Sequence, residues 1–232
     1  MNLKKYKKLN SEVEIILKEI NPRGKFIADV GCGIGNLTRW LANHKAKRVF
    51  GIDIEEIIEK ATQQPNSGNE IFIAGKGQKL PLAKEVADCM IYFASFHHIP
   101  ENKMSKALAE CKRVLKPDGI ALIVEPVFET GCYCELSKLV RDEKQIQKTA
   151  YEIIKKAADM GFEMLSEKYY YIPRTYDDFK NSLSVYVKSV GKQKVILETA
   201  NLIIRKHENK YKNLNRSNLF KSTVRVNVLR KK

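Results

Sequence analysis

The run Asp29-Val30-Gly31-Cys32-Gly33-Ile34-Gly35 constrains this chain more than any other feature. It follows the short apolar stretch Phe26-Ile27-Ala28. It precedes Asn36-Leu37-Thr38-Arg39-Trp40-Leu41-Ala42, which has helical character. Strand, glycine turn and helix in that order bring backbone close to a nucleotide-like ligand at a helix N-terminus. A second apolar strand, Arg48-Val49-Phe50-Gly51-Ile52, ends in Asp53. A carboxylate at that strand tip is where a ribose diol is read, because an ionised Asp accepts two hydroxyl protons at once.

The glycine spacing decides between ligands. Dinucleotide binders carry G-x-G-x-x-G, whose turn seats a pyrophosphate. Here the pattern is G-x-G-x-G, with Asn36 where the last glycine of that fingerprint would stand. No Gly-Lys-Ser/Thr follows, which excludes a P-loop. Three later strings add to the pattern: Leu80-Pro81-Leu82, Phe96-His97-His98-Ile99 and Arg113-Val114-Leu115-Lys116-Pro117-Asp118-Gly119. With them the chain resembles the class I S-adenosylmethionine-dependent methyltransferases, in the type 11 branch typified by ubiquinone and menaquinone biosynthesis enzymes. The resemblance covers Gly24 to Pro126 well and the remainder loosely.

That resemblance implies S-adenosylmethionine as cofactor and S-adenosylhomocysteine as product, and it assigns residues. Gly31, Gly33 and Gly35, with Cys32 inside the turn, let backbone approach the amino acid end of the cofactor. Asp29 orders the turn and meets the methionine ammonium, Asp53 takes the ribose, and Ile54 and Leu80 sandwich the adenine. Gly77, Gln78, Phe93, Ala94 and His98 complete the implied cofactor set. One position departs from the pattern. Where the family has an acid that accepts from the adenine amino group, this chain has Lys76, a donor only. Gln78 or a backbone carbonyl would substitute.

The segment Ile91 to Ile99 leaves the fourth strand of the expected core at the sheet's carboxyl edge, where parallel sheets bind ligands. His97 is the candidate catalytic residue, a general base for a hydroxyl, thiol or amine nucleophile. The competing reading has the histidines pin the loop by hydrogen bonds, a task that suits His98. Glu125, ending the fifth core strand, faces the same crevice. Tyr6, Tyr133, Tyr169, Tyr170 and Tyr171 could line an acceptor pocket, although aromatic clusters more often fill cores. No metal site is expected, since Cys132-Tyr133-Cys134 has no second pair and no nearby histidine.

At 232 residues and 44% hydrophobic content the chain suits one globular domain with an elaboration. No apolar run approaches a membrane span. The basic N-terminus leads into Glu12, Glu14 and Glu19 rather than an apolar stretch, so a cytoplasmic protein is expected. Five scattered cysteines fit reduced thiols. The net charge of +15 is uneven: the last 46 residues hold 13 Lys/Arg against 2 Asp/Glu. Such a surface suits nucleic acid or an anionic substrate. The interleaved Glu198 and Glu208 favour an ordinary solvated face.

Apolar residues at helical spacing predict one or two amphipathic helices over residues 3–20. Strands at 25–30, 48–52, 70–74, 87–93 and 119–125 then alternate with helices at 36–43, 55–63 and 101–115. That alternation predicts an α/β fold, a doubly wound and mostly parallel sheet. The resembled family has seven strands, Rossmann-like. Beyond Pro126 the pattern predicts helix over 135–160 ending at Gly161, a strand over 162–172, helices over 175–189 and 192–211 joined at Gly191, and a strand over 223–229. The expected organisation is a single methyltransferase domain: a helical cap at 1–23, a cofactor core at 24–126, further sheet and helix at 127–174 and 216–232, and a helical insertion at 175–215 forming an acceptor lid. A small-molecule acceptor is expected, for a protein that is monomer or homodimer and has no membrane partner. RNA methylation and a non-catalytic cofactor binder are the alternatives.

Overall fold

The computed structural model describes residues 7–9, 11, 13–127, 131–210 and 220–232. In chain order the elements begin β1 (Lys7–Lys8), α1 (Val13–Glu19), β2 (Phe26–Val30), α2 (Asn36–Asn43), β3 (Arg48–Asp53), α3 (Glu55–Thr62), β4 (Glu70–Ala74) and β5 (Ala87–Phe93). They continue α4 (Met104–Val114), β6 (Leu115–Pro126), α5 (Cys132–Val140), α6 (Lys144–Lys155), β7 (Phe162–Pro173), α7 (Tyr176–Tyr186), α8 (Val190–Lys210) and β8 (Lys221–Lys231). The strands hydrogen-bond in the order β1-β7-β8-β6-β5-β2-β3-β4.

Pairing from β6 to β4 is parallel throughout. The chain runs outward from β2 through β3 to β4, then returns to place β5 on the other side of β2. That reversal opens a crevice at the carboxyl ends of the strands, where doubly wound sheets bind ligands. Residues Ile27 to Val30 of β2 are all buried, as a central strand covered on both faces requires.

The chain divides into two compact units. The sheet unit comprises Val13–Glu125, Ile146–Lys168 and Arg225–Lys232. Its core joins Ala28, Met90, Tyr92 and Ile123 of the strands to Met104, Ala107, Leu108 and Cys111 of α4. Those four helical positions recur at spacings of three and four, the apolar stripe of a helix laid on a sheet.

The helical unit comprises the described parts of Met1–Glu12, Pro126–Gln145 and Tyr169–Val224. Its core is Cys132 and Leu136 of α5, Phe179 of α7, Ala200 and Ile204 of α8, and Phe220. A capping box starts α7: Asp178 N–H donates to the Thr175 hydroxyl (3.1 Å), and Thr175 N–H donates back to Asp178 (2.6 Å). His207 lies 3.0 Å from Glu135 and ties α8 to α5. Ile196, Leu197 and Ile203 pack against this cluster, so that part of the expected lid stripe joins the helices to one another. Val185, Tyr186, Val190 and Leu202 are 57–79% exposed.

Several expectations are corrected. Among the described residues the sheet has eight strands rather than seven, because Lys7 and Lys8 pair in parallel with Tyr170 and Tyr171. Within residues 3–20, where helix was expected throughout, the described helix is α1 alone. Leu9 is 1% exposed and its N–H donates to Tyr171 O (3.1 Å), so strand pairing outweighs the local helical pattern there. Residues 135–160 form two helices and a short 3-10 turn rather than one run. Gly161 does close that turn, with φ 81°. Gly191 lies inside α8, and the break falls at residues 187–189. Among the described residues, no helix is long and apolar enough to cross a membrane.

Candidate active site

β2 delivers its glycine turn onto the end of β3. Gly31 and Cys32 N–H both donate to Ile52 O, at 2.7 and 3.1 Å. Gly31 has φ 76°, and a Cβ there would collide with the Ser95 side chain, so the position admits glycine alone. At Gly33 (φ 56°) an added Cβ would meet nothing within 4 Å: the turn opens onto free space. Asp53, the last residue of β3, spans the gap. Its Oδ2 accepts from Gly33 N–H (2.9 Å) and its Oδ1 from Ile54 N–H (2.8 Å), and each oxygen keeps a lone pair.

Asp29 lies beneath the turn, 1% exposed, and accepts from the Thr38 hydroxyl (2.7 Å). Burial pushes its carboxyl up to about 7, against the Thr38 hydrogen bond and with the aid of the Asp53 charge. Burial also pushes the Cys32 thiol up, with Asp29 and Asp53 adding to the effect, so it is no nucleophile.

A cavity of about 420 Å³ opens at this edge. Of the residues implied for the cofactor, Gly31, Asp53, Ile54, Gly77, Gln78 and His98 line it. The others lie outside that lining. Asp29 and Cys32 are buried under the turn, and Gly35 caps α2. Leu80 is 5% exposed, and Phe93 ends β5 half-buried. Ala94 holds a left-handed φ of 50° while its N–H donates to Val124 O (2.7 Å). The lining also includes Tyr92, Ser95 and Ile99 of the crevice segment, to which sequence reasoning gave no role, and Pro100 and Lys103, which it missed. The Ile99-Pro100 step was the available signal, since a residue before proline is held extended and so turns the chain. Lys76 lines the cavity too, and its carbonyl accepts from Lys79 N–H (2.8 Å).

The turn after β5 is fixed from several sides. The Ser95 hydroxyl donates to Val30 O (2.6 Å), while His98 and Ile99 N–H donate to Ser95 and Phe96 O, each at 3.1 Å. Glu125 Oε1 accepts from Phe96 N–H (3.0 Å), and Oε2 shares a hydrogen bond with His97 Nδ1. His97 is 3% exposed and stands apart from the cavity lining; its ring centre lies 4.0 Å from that of exposed His98.

Residues 28–123 match the family described as a methyltransferase domain. Those residues thus carry a methyltransferase domain, and over them the chain is similar to the class I S-adenosylmethionine-dependent methyltransferases of the type 11 branch. Protein arginine N-methyltransferase 1 of Schizosaccharomyces pombe is 34% identical over 103 residues, 42% of this chain and 30% of that protein. An uncharacterized methyltransferase of Oceanobacillus iheyensis is 27% identical over 176 residues, 73% of this chain and 74% of that one. A tRNA (carboxymethyluridine(34)-5-O)-methyltransferase of Arabidopsis thaliana is 35% identical over 103 residues, 44% of this chain and 24% of that one. The chain thus spans a third or less of the length of two of these relatives. Among solved structures, the YcgJ protein of Bacillus subtilis superposes with a TM-score of 0.62 at 18% identity, covering 95% of this chain and 97% of that one. The [4+2]-cyclase SpnF gives 0.62 at 18%, covering 94% and 79%.

Inside the methyltransferase domain, the remaining strings shape walls rather than touch the cavity. Arg113 pairs with Glu110 (2.7 Å) and donates to Leu82 O (2.8 Å) and Leu80 O (3.2 Å). Glu110 accepts in turn from Leu80 N–H (2.8 Å). One turn of α4 thereby clamps the Leu80-Pro81-Leu82 loop that follows Gly77 and Gln78. Lys116 pairs with Asp88 (2.7 Å), and Asp88 also accepts from Phe26 N–H (2.7 Å), which ties β6 and β5 to the start of β2.

Proposed function

We propose that this domain binds S-adenosylmethionine in the cavity and passes its methyl group to a small-molecule acceptor. One observation carries the reading: the glycine turn and the Asp53 carboxylate meet at the rim of one cavity at the carboxyl edge of β2 and β3. Its volume of about 420 Å³ suits a pre-formed small-ligand site. The residues fit the cofactor's chemistry. Asp53 offers lone pairs to the ribose diol, and the open side of Gly33 admits the amino acid end. An ammonium brought near Asp29 would favour its ionised form. Ile54, 46% exposed in the lining, offers an apolar face to the adenine, with Leu80 as its counterpart and Gln78 in place of the missing acid. Gly77 and His98 form more of the wall, with Phe93 and Ala94 behind it.

Bound S-adenosylmethionine supplies a methyl group that positively charged sulfur has already activated. The chain's work is to hold the acceptor in line and to receive its proton. We assign that proton to His97, which packs behind the lining residue His98 and must gain access to the acceptor to take it.

The acceptor reading rests on the helical unit. Lys192, Lys194, Arg205, Lys206 and Lys210 are exposed on α8. At 3.6 residues per turn, Lys194 and Arg205 fall on one flank of its outer face and Lys206 and Lys210 on the other, not in one band. The relatives' names give an arginine, a tRNA and a sterol as acceptors, so no single acceptor class follows from them. Calorimetry tests the reading: S-adenosylmethionine should bind 1:1 in the low micromolar range, about 7–8 kcal/mol. Folded protein that shows no binding overturns it. Labelled methyl incorporation into bulk tRNA that is lost on charge reversal of Lys194 and Arg205 would replace the small molecule with RNA.

A further inference from the structure

Glu125 is one of the buried ionisable groups that methyl transfer as set out above leaves unused. It is the penultimate residue of β6, just before Pro126, and its side chain is 1% exposed. A carboxylate in such a place is costly unless its charge is met by hydrogen bonds. Both oxygens are met, one by the Phe96 backbone and one by the His97 ring. Capping one N–H would need no charge, because a neutral amide accepts that bond as well. The charge has its reason at the second contact.

We propose that Glu125 is the positioning residue for His97, holding the imidazole in the tautomer whose Nδ1 bears the proton so that Nε2 serves as base. This rests on the reading of His97 as the proton acceptor. A carboxylate only accepts, so His97 must donate through Nδ1, and the ring's lone pair then lies on Nε2. The surrounding backbone keeps the ring from turning away: Ala94 is left-handed, the Ser95 hydroxyl holds Val30 O, and Phe96 N–H is bound to the same carboxylate. In the transfer, the acceptor's X–H proton passes to Nε2 and its lone pair forms the bond to the methyl carbon. The carbon–sulfur bond breaks with its electrons returning to sulfur, which becomes a neutral thioether. The imidazolium so formed faces a counter-charge already in place. The acceptor is therefore protic, an alcohol, phenol, thiol or protonated amine, rather than a thioether or tertiary amine that needs no base.

Nitrogen NMR of the full chain labelled at its 4 histidines reads the tautomer directly, with His97→Gln assigning the signal. The wild type should show neutral His97 protonated at Nδ1. In Glu125→Gln the amide can turn its NH2 toward the ring, and more than half of the neutral His97 should move to the Nε2–H form. S-adenosylmethionine affinity, measured by calorimetry on the same samples, should stay within twofold. A wild-type His97 protonated at Nε2 overturns the proposal even if the variant fails to fold. So does a Glu125→Gln spectrum with the Nδ1–H form intact. Absence of cofactor binding by the wild type strikes the methyltransferase reading instead, and the two failures are separately visible.

Discussion

The carboxyl edge of the sheet unit and the α5–α7–α8 cluster of the helical unit are built on different principles. At the sheet edge the polar groups at the strand ends hold specific partners: Asp53 binds two backbone N–H groups, Glu125 one backbone N–H and one ring, and Asp29 a buried hydroxyl. The helical cluster is held by apolar packing with one buried histidine contact. Its outer surface leaves Val190 and Leu202 79% and 66% exposed. Where a group so held also lines the cavity, as Asp53 does, a substitution should change ligand binding. Where packing alone decides, it should change stability or nothing.

The largest effect expected from that contrast is at Asp53. If Asp53 reads the ribose diol as proposed, Asp53→Ala removes two hydroxyl contacts to a charged acceptor, worth about 1.5–3 kcal/mol each, and S-adenosylmethionine binding should weaken more than a hundredfold. Leu202→Ala should leave that affinity within twofold. Calorimetry showing equal losses for the two would break the contrast.

Asp29 comes next, because function there works against stability. Its folded carboxyl titrates at about 7 against an ordinary 3.8, so the folded state holds its proton more tightly than the unfolded chain. Stability from this group falls as pH rises between those values and is flat above. Asp29→Asn should remove that penalty, stabilising the protein by up to about 4 kcal/mol at pH 8 and by almost nothing at pH 3.5, while weakening cofactor binding. Urea midpoints that shift equally at both pH values would refute the account.

Leu136→Ala opens a cavity in the helical core and should cost about 3 kcal/mol, against less than about 0.5 kcal/mol for Leu202→Ala. Chemical denaturation separates the two. The smallest effect is at Lys76. Asp at that position restores an acceptor for the adenine amino group, and Lys76→Asp should tighten S-adenosylmethionine binding by a factor of several, about 1 kcal/mol. Unchanged affinity would show that Gln78 or a backbone carbonyl already reads that group.

Much of the sheet unit was legible in the sequence because its signals are local. Gly31 and Gly33 announce positive φ, and the apolar run before Asp53 puts a carboxylate at a strand tip. The alternation of strands and helices implies parallel crossovers at Gly35 to Arg48 and beyond. The roles of the later strings were not legible. Arg113 read as part of the family pattern, yet with Glu110 it clamps the Leu80–Leu82 backbone. Glu125 and His97 are 28 residues apart and meet because β5 and β6 pair in parallel with Ile91 opposite Leu122. A one-residue slip would turn one of them to the other face.

By itself the sequence determined the turn, the carboxylate that follows it and the family, because glycine torsions and hydrophobic periodicity act over a few residues. Tertiary structure alone decided which implied residues reach the cavity, that β1 joins β7 where a helix was expected, and that a buried acid holds His97. Those outcomes depend on strand register and on burial summed over distant segments, which no local pattern records.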